Sequence, residues 1–185
     1  MATVGIVGGG IFGITAALSL RRRGFEVTIY DPGPIPHPLA ESTDISKIVR
    51  LDYGDDELYT AMMERALEEW RRWSASAFFH ETGVLFLRSS ALEPGSFEGD
   101  SYALLSHRGH ALERLDAEAI RRRFPAWNTA RFFDGYYNPA GGWAESGRVV
   151  AHLAGAARQP PSACDSRKEP RSWASQRRAP ASAAS

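Results

Sequence analysis

The sequence predicts an α/β fold that opens with a Rossmann-like β-α-β unit. Three observations predict it: a short β-branched apolar segment over residues 3–7, a glycine-rich turn over residues 8–13, and a second apolar segment that ends at Asp31. A strand, a glycine turn, a helix and a second strand in this order are typical of the first half of a dinucleotide-binding unit.

Each element of this unit follows from its own residues. Residues 3–7, TVGIV, are apolar without polar alternation, as expected of a buried parallel strand. Residues 11–22 are rich in alanine and leucine and end before Gly24, so we expect a helix with a glycine at its carboxyl end. Residues 25–30, FEVTIY, predict the second strand.

The glycine turn satisfies the G-x-G-x-x-G pattern of dinucleotide-binding proteins. Gly8 permits the tight turn, Gly10 lets a diphosphate approach the backbone, and Gly13 lets the helix pack closely on the strand. The free amides and the positive end of the helix then face the phosphates. The predicted cofactor-binding residues of the turn are Gly8, Gly9, Gly10, Ile11, Phe12 and Gly13.

Asp31 follows Gly13 by 18 residues and closes the second strand. A carboxylate at this place can accept hydrogen bonds from a ribose 2′-hydroxyl, and it disfavours the 2′-phosphate of NADP by charge repulsion. The motif therefore predicts an adenine dinucleotide site. On its own it leaves FAD and NAD as alternatives.

Further along the chain, several segments resemble a known family. These are residues 42–50 leading into Tyr53-Gly54, then residues 82–85 and residues 138–142. With the glycine turn and Asp31 they resemble the FAD-dependent amine and amino-acid oxidases of the D-amino-acid oxidase superfamily. Within it, the sarcosine oxidase and fructosyl-amine oxidase branch is similar over about residues 3–157. The resemblance implies a Rossmann-like FAD-binding domain, here incomplete, with the start of an α+β substrate domain.

The resemblance also implies a cofactor, a substrate class and site residues. The cofactor is FAD, and residues 42–50, which include Ser42 and Ser46, run beside the flavin. Lys47 places a cation against the flavin ring, and Arg50 binds the carboxylate of a small amine or amino-acid substrate. The implied reaction oxidises a C–N bond by hydride transfer to the flavin, with O2 as the acceptor.

The chemistry of Lys47 and Arg50 is compatible with these roles. A nearby cation stabilises the negative charge of a reduced flavin, and a guanidinium can bind a carboxylate through two hydrogen bonds. The alternative is that both residues are solvated surface charges.

The remaining segments predict further helices and strands. Asp55 or Asp56 caps a helix that runs to Trp73, and residues 83–87 form a strand. Leu115 to Arg123 is a short helix capped by Asp116. Residues 131–137 either line a substrate pocket or form a sheet strand. The helix ending at Trp73 has an apolar stripe that we expect in the core, made of Leu58, Met62, Ala66, Trp70 and Trp73.

We expect four regions along the chain. Residues 1–80 form the amino-terminal part of the FAD domain, residues 81–142 start the substrate domain, and residues 143–158 form a helix that returns to the FAD domain. Residues 159–185 lack Val, Ile, Leu, Met, Phe and Tyr. Ordering 27 such residues costs about 40 kcal/mol, against about 4–6 kcal/mol from burying Trp173. We therefore expect a disordered tail.

The resemblance carries an expectation about length as well. Enzymes of this branch are about twice as long, so the chain resembles a C-terminally truncated member. We expect the tail to come from an altered reading frame, a mis-spliced end or a wrong gene model. Three functions stay open: the oxidase, an NAD-dependent dehydrogenase, and an inactive dinucleotide-binding fragment.

Composition excludes several other classes of function. Lys and Arg total 22, as do Asp and Glu, so the zero net charge gives no reason to expect nucleic acid or an anionic membrane as partner. No apolar run is long enough to span a bilayer. One cysteine, Cys164, fits a reducing compartment, so we expect a cytoplasmic protein, with a peroxisomal location open to a full-length form.

Overall fold

The computed structural model describes residues 2–73 and 78–159. It contains eight strands and five helices within these residues, and a 3₁₀ turn over Glu41–Thr43. The elements in chain order are β1 (Thr3–Val7), α1 (Ile11–Arg22), β2 (Glu26–Tyr30), β3 (Lys47–Val49), α2 (Glu57–Trp73), β4 (Phe79–His80), β5 (Val84–Arg88), α3 (Phe97–His107), β6 (Glu113–Asp116), α4 (Ala117–Arg123), β7 (Asp134–Asn138), β8 (Gly142–Ala144) and α5 (Ser146–Arg158).

The predicted β-α-β unit is present at the amino terminus. Strands β1 and β2 pair in parallel, from Thr3 opposite Glu26 to Val7 opposite Tyr30, and α1 connects them. Gly24, directly after the end of α1, has a φ of +84°, a conformation that favours glycine. The α/β class predicted from the sequence is confirmed.

Two antiparallel sheets follow, each with three strands among the described residues. The first has the order β3-β8-β4 and the second the order β5-β7-β6. Strand β5 confirms the strand predicted over residues 83–87. For residues 131–137, the sheet alternative is correct from Asp134 onward, because β7 is the central strand of its sheet.

Helix α2 begins where the sequence predicts, but it buries a different face. The Asp56 carboxylate accepts a hydrogen bond of 2.9 Å from the Tyr59 amide at its start. Leu58 and Met62, predicted to be core residues, are 68% and 58% exposed. Leu67 is buried instead.

The reason for this error is a second apolar stripe on α2, rotated by about one residue from the first. Met63 and Leu67 form it together with Trp70, which belongs to the predicted stripe as well and whose place in the core is confirmed; all three pack in the cluster of β3, β4 and β8. The side chain of Trp73 lies outside the described residues.

Two further helices precede and follow β6 along the chain. Helix α3 has no counterpart in the sequence-based expectations, and the Ser96 side chain caps it by accepting from the Gly99 amide at 3.2 Å. The predicted helix over Leu115–Arg123 begins later, as α4, because Leu115 belongs to β6. Asp116 caps α4 as predicted, with its carboxylate 2.8 Å from the Ala119 amide nitrogen.

Two clusters of buried apolar side chains lie within residues 2–73 and 78–159. Helix α5 packs on α1 through Val149, Val150 and Leu153 against Ile14. The second cluster lies between α2, α3 and the β3-β8-β4 sheet; its buried members are Val49, Leu51, Leu67, Phe79, Leu105 and Ala144. The four regions proposed from the sequence stay a prediction, and residues 160–185 lie outside the described residues. No helix of the described part is long and apolar enough to cross a membrane.

Candidate dinucleotide and carboxylate sites

Two glycines of the turn between β1 and α1 are required by the protein's own geometry. Gly8 has a φ of +100°, which residues with a side chain rarely adopt. A Cβ on Gly13 would lie 1.9 Å from the Gly8 carbonyl oxygen, so only glycine lets α1 approach the turn this closely. Gly8 therefore permits the turn and Gly13 permits the close packing of the helix, which are the roles that the sequence motif predicts for them.

Gly10 differs, because the protein leaves open the space that its side chain would occupy. The nearest atom to a Cβ built there is the Ser42 Oγ, at 3.9 Å. Gly10 is extended, with a φ of −74° that any residue adopts. Neither packing nor backbone conformation therefore requires glycine at this position, and the backbone here is open to the approach of a ligand. The second glycine of the G-x-G-x-x-G pattern is the one at which a diphosphate approaches the backbone.

The first turn of α1 also offers unused hydrogen-bond donors. Gly10 is the residue at its amino-terminal cap, and no side chain caps the helix. Among the described residues, the backbone amides of Gly10, Ile11 and Phe12 have no acceptor. Three free amides at the positive end of a helix form a suitable cradle for an anion.

Asp31 is fixed next to this turn by the backbone. Its Oδ2 accepts a hydrogen bond of 2.7 Å from the Gly9 amide, and its Oδ1 accepts one of 2.9 Å from the Gly33 amide. These two bonds, that of Gly9 first, lower the pKa of Asp31 below its ordinary value. The carboxylate is ionised at neutral pH, and each oxygen has a further lone pair for a ligand hydroxyl.

The predicted flavin-facing residues lie on a segment that α5 holds in place. The Ser146 hydroxyl and the Gly147 amide both donate to the Asp44 carbonyl oxygen, at 2.8 and 2.9 Å. Lys47 is half exposed and forms an ion pair of 3.0 Å with the Asp44 carboxylate. This hydrogen bond from Lys47 is the largest cause that lowers the pKa of Asp44. Ser46 is exposed.

Arg50 belongs to a different set of contacts, formed with aromatic rings. Its guanidinium carbon lies 5.6 Å from the ring centre of Tyr53, 5.9 Å from that of Phe86 and 5.2 Å from that of Phe97. Cation-π contacts of this kind hold the cation without using its N–H donors. Among the described residues, no hydrogen-bond acceptor pairs with this guanidinium. The donors are free for an added anion, as a carboxylate-binding role requires.

Sequence reasoning missed a buried polar network beside Arg50. Asp52, Tyr136 and Asn138 are each fully buried, and both of the latter donate hydrogen bonds to the Asp52 carboxylate. One signal was available, since Asp52 is a carboxylate only two residues from Arg50 in the sequence. The pairing with β7 depends on sheet register, which the residues alone did not reveal.

Comparison with known proteins identifies the family. Residues 3–160 match the sequence model of the DAO family, described as FAD dependent oxidoreductase. The chain is 28% identical over 124 residues to N-methyl-L-tryptophan oxidase of Citrobacter koseri, covering 65% of this chain and 32% of that one. Against the same enzyme of Escherichia coli it is 26% identical over 145 residues, covering 76% and 38%.

Solved structures show the same fold at low sequence identity. L-proline dehydrogenase from P. horikoshii superposes with a TM-score of 0.70 at 24% identity, covering 85% of this chain and 41% of that one. A modified fructosyl peptide oxidase from Aspergillus nidulans gives 0.71 at 22%, covering 85% and 39%. The chain thus spans about a third to two fifths of the length of the proteins that it matches. By the match over most of its own length, the chain belongs to the DAO family of FAD-dependent oxidoreductases.

Proposed function

We propose that this chain supplies the ADP-binding part of an FAD site in an oxidase of amino acids or secondary amines. The observation that carries the proposal is the open space at Gly10, next to three free amides and the fixed Asp31 carboxylate. Family membership favours FAD over the NAD alternative. Oxidation of the C–N bond is proposed for the complete enzyme.

The turn residues and Asp31, which follows β2, bind different parts of the nucleotide in this proposal. The amides of Gly10, Ile11 and Phe12 donate hydrogen bonds to the diphosphate, and Gly8 and Gly13 hold the turn in shape. The Asp31 carboxylate accepts from the ribose hydroxyls. Ser42 is the nearest side chain to the Gly10 space and supplies a hydroxyl there. Ser46 is exposed on the same segment, and we assign it to the flavin side of the site.

Lys47 and Arg50 are proposed to act at the reacting end. A bound FAD would supply a hydride acceptor for the substrate C–H bond and a route for both electrons to O2, which would become hydrogen peroxide; water would hydrolyse the imine product of the substrate. Lys47 supplies a cation near the ring, with Asp44 orienting its ammonium group. Arg50 binds the substrate carboxylate through its free N–H donors.

A second candidate function is dinucleotide binding without oxidation. The observation that favours it is the short span of the match. The chain covers 39% of the fructosyl peptide oxidase structure and 32% of the N-methyl-L-tryptophan oxidase sequence. Residues 2–159 would then bind the ADP portion of a dinucleotide and make no specific contact with the flavin ring.

Calorimetric titration of the 185-residue chain with FAD, ADP and NAD separates these functions. The oxidase proposal predicts that FAD binds more tightly than ADP or NAD, and that the visible flavin spectrum changes on binding. Equal affinity for FAD and ADP would support the second candidate. Absence of binding by all three nucleotides would contradict both.

A further inference from the structure

Asp52 carries a carboxylate that is completely removed from solvent. Its Oδ1 accepts a hydrogen bond of 2.7 Å from the Tyr136 hydroxyl, and its Oδ2 accepts one of 3.1 Å from the Asn138 side-chain amide. Tyr136 and Asn138 are themselves fully buried and lie two residues apart on β7, on one face of the sheet. The carboxylate is therefore held in one orientation by two donors that carry no charge.

A buried carboxylate requires a compensating cation or a bound proton. The cation that acts on Asp52 is Arg50, which lies two residues before it in the chain. The negative charge of Glu98 on α3 contributes to raising the pKa of the Tyr136 hydroxyl. Glu98 itself forms an ion pair with Arg88 of β5. Burial outweighs the hydrogen bonds and the Arg50 charge, so the pKa of Asp52 is raised above its ordinary value.

Arg50 is positioned to interact with two anions. Its guanidinium is held by three rings and has no hydrogen-bond acceptor among the described residues. Asp52 therefore interacts with the Arg50 charge electrostatically over a distance and forms no direct ion pair with it. A carboxylate that binds the free donors of Arg50 will neutralise this charge and remove part of what favours the ionised form of Asp52.

We propose that Arg50 shares its positive charge between Asp52 and the carboxylate of a bound ligand, so that ligand binding is accompanied by uptake of a proton at Asp52. The inference rests on the proposed function, in which Arg50 binds a substrate carboxylate. Asp52 is then a positioning residue that acts through Arg50 and does not touch the ligand.

The hydrogen-bond network can accept the proton without rearrangement of the backbone. The Ser101 oxygen accepts a hydrogen bond of 2.7 Å from the Gly54 amide, and Ser101 acts on the Tyr136 hydroxyl from nearby. When Oδ1 of Asp52 takes up a proton from solvent, it donates to the Tyr136 oxygen, and the Tyr136 hydroxyl hydrogen turns away from Asp52 toward Ser101.

The direction of the pH dependence follows from linkage. Because an ionised Asp52 competes for the charge of Arg50, carboxylate affinity is weakest where Asp52 is ionised and rises as the pH falls through its pKa. The ligand stays charged in this range, because an α-carboxyl group titrates at about pH 3.3–3.7. A coupling of ordinary size changes the affinity by about 5- to 10-fold.

The test is calorimetric titration of the 185-residue chain with N-acetyl-L-phenylalanine, between about pH 5 and about pH 8, in two buffers that differ in ionisation enthalpy. The N-acetyl-L-phenylalanine amide serves as the neutral matched ligand. We expect proton uptake on binding of the acid, an affinity that falls as the pH rises, and no such behaviour for the amide.

Two variants assign the proton to its site. Asp52→Asn should bind the acid with an affinity that does not vary with pH and without proton uptake. Tyr136→Phe removes one donor to the carboxylate, so proton uptake should persist and move to higher pH. Tyr136→Phe also covers the case in which Asp52→Asn does not fold.

The outcomes separate the two levels of the proposal. Binding of the acid by the parent chain without proton uptake, or with uptake that Asp52→Asn retains, overturns the coupling and leaves the role of Arg50 intact. Failure to bind the acid, or equal binding of the acid and the amide, overturns the role of Arg50 and the coupling with it. FAD binding is measured separately and tests neither.

Discussion

At the scale of single residues, Asp31 is already fixed by the protein before any nucleotide binds. Two backbone amides hold its two oxygens, and one of them belongs to Gly9 in the phosphate-binding turn. The same bond therefore positions the carboxylate and braces the turn. A ribose hydroxyl would donate to a charged acceptor that is already oriented, so binding would cost no side-chain entropy at Asp31.

Asp31→Asn tests this role directly. The amide side chain loses the charge and can accept only one of the two backbone bonds, so FAD affinity should fall by about 10- to 100-fold. Calorimetric titration measures the loss. Asp55→Asn, an exposed carboxylate in the loop before α2, is the matched control and should bind FAD like the parent chain. Equal affinities of the two variants would remove Asp31 from the site.

Glu64 is a second residue whose environment has a measurable consequence. The Arg108 guanidinium donates to both of its oxygens and His110 pairs with one of them, which links α2 to the end of α3. The hydrogen bond from Arg108 is the largest cause that lowers the pKa of Glu64, to about 2. The unfolded chain titrates near the ordinary value of 4.5. This stabilisation is complete above that value and is lost as the pH falls toward the folded pKa.

Glu64→Gln should therefore destabilise the fold in a pH-dependent way. With allowance for screening at this partly exposed site, the free energy of unfolding should fall by about 1–2 kcal/mol at neutral pH. The difference should shrink in acid, and urea unfolding at several pH values measures it. Glu68→Gln, one turn along the same helix and exposed, is the control. A constant difference at every pH would disprove the charge-based account.

At the scale of elements, the turn between β1 and α1 was predictable and the packing of α2 was not. The glycine turn is a local feature, because its geometry depends on residues a few positions apart. Helix α2 has two apolar stripes, and only the position of β3, β4 and β8 decides which one is buried. Leu58 and Met62 were assigned to the core for that reason, while Leu67 fills it.

The turn offers a pair of substitutions with opposite expectations. Gly10→Ala places a methyl group in open space with an ordinary φ, so the free energy of unfolding should stay unchanged while FAD affinity falls by at least tenfold. Gly13→Ala forces a Cβ against the Gly8 carbonyl and should destabilise the fold by about 1–3 kcal/mol. Thermal unfolding and FAD titration of both variants check this. Loss of stability in Gly10→Ala would show that the protein fills the space itself.

Helix α3 and the network around Asp52 could not be predicted from the sequence, because neither has a clear local pattern. The capping residue Ser96 marks the start of α3, but the segment that follows has no clear apolar stripe. Asp52 reaches Tyr136 and Asn138 across more than 80 residues of chain. Such a contact is specified by the antiparallel sheet and not by local spacing.

At the scale of the whole molecule, exposed apolar side chains gather at the carboxyl ends of the parallel strands. Val7 at the end of β1 is 90% exposed, Phe12 at the start of α1 is 88% exposed, and Tyr30 at the end of β2 is 61% exposed. In open α/β sheets a ligand binds in the crevice outside these strand ends. A nucleotide seated at the turn would lie beside these side chains.

The most direct measurement is an NMR titration of the ¹⁵N-labelled chain with FAD, which reports the place of binding amide by amide. The account predicts that the largest shifts fall on Gly10, Ile11 and Phe12, followed by the amides of Gly9 and Gly33 that hold Asp31. Largest shifts on residues outside the β1-α1 turn and the end of β2, or no shifts at saturating FAD, would contradict it.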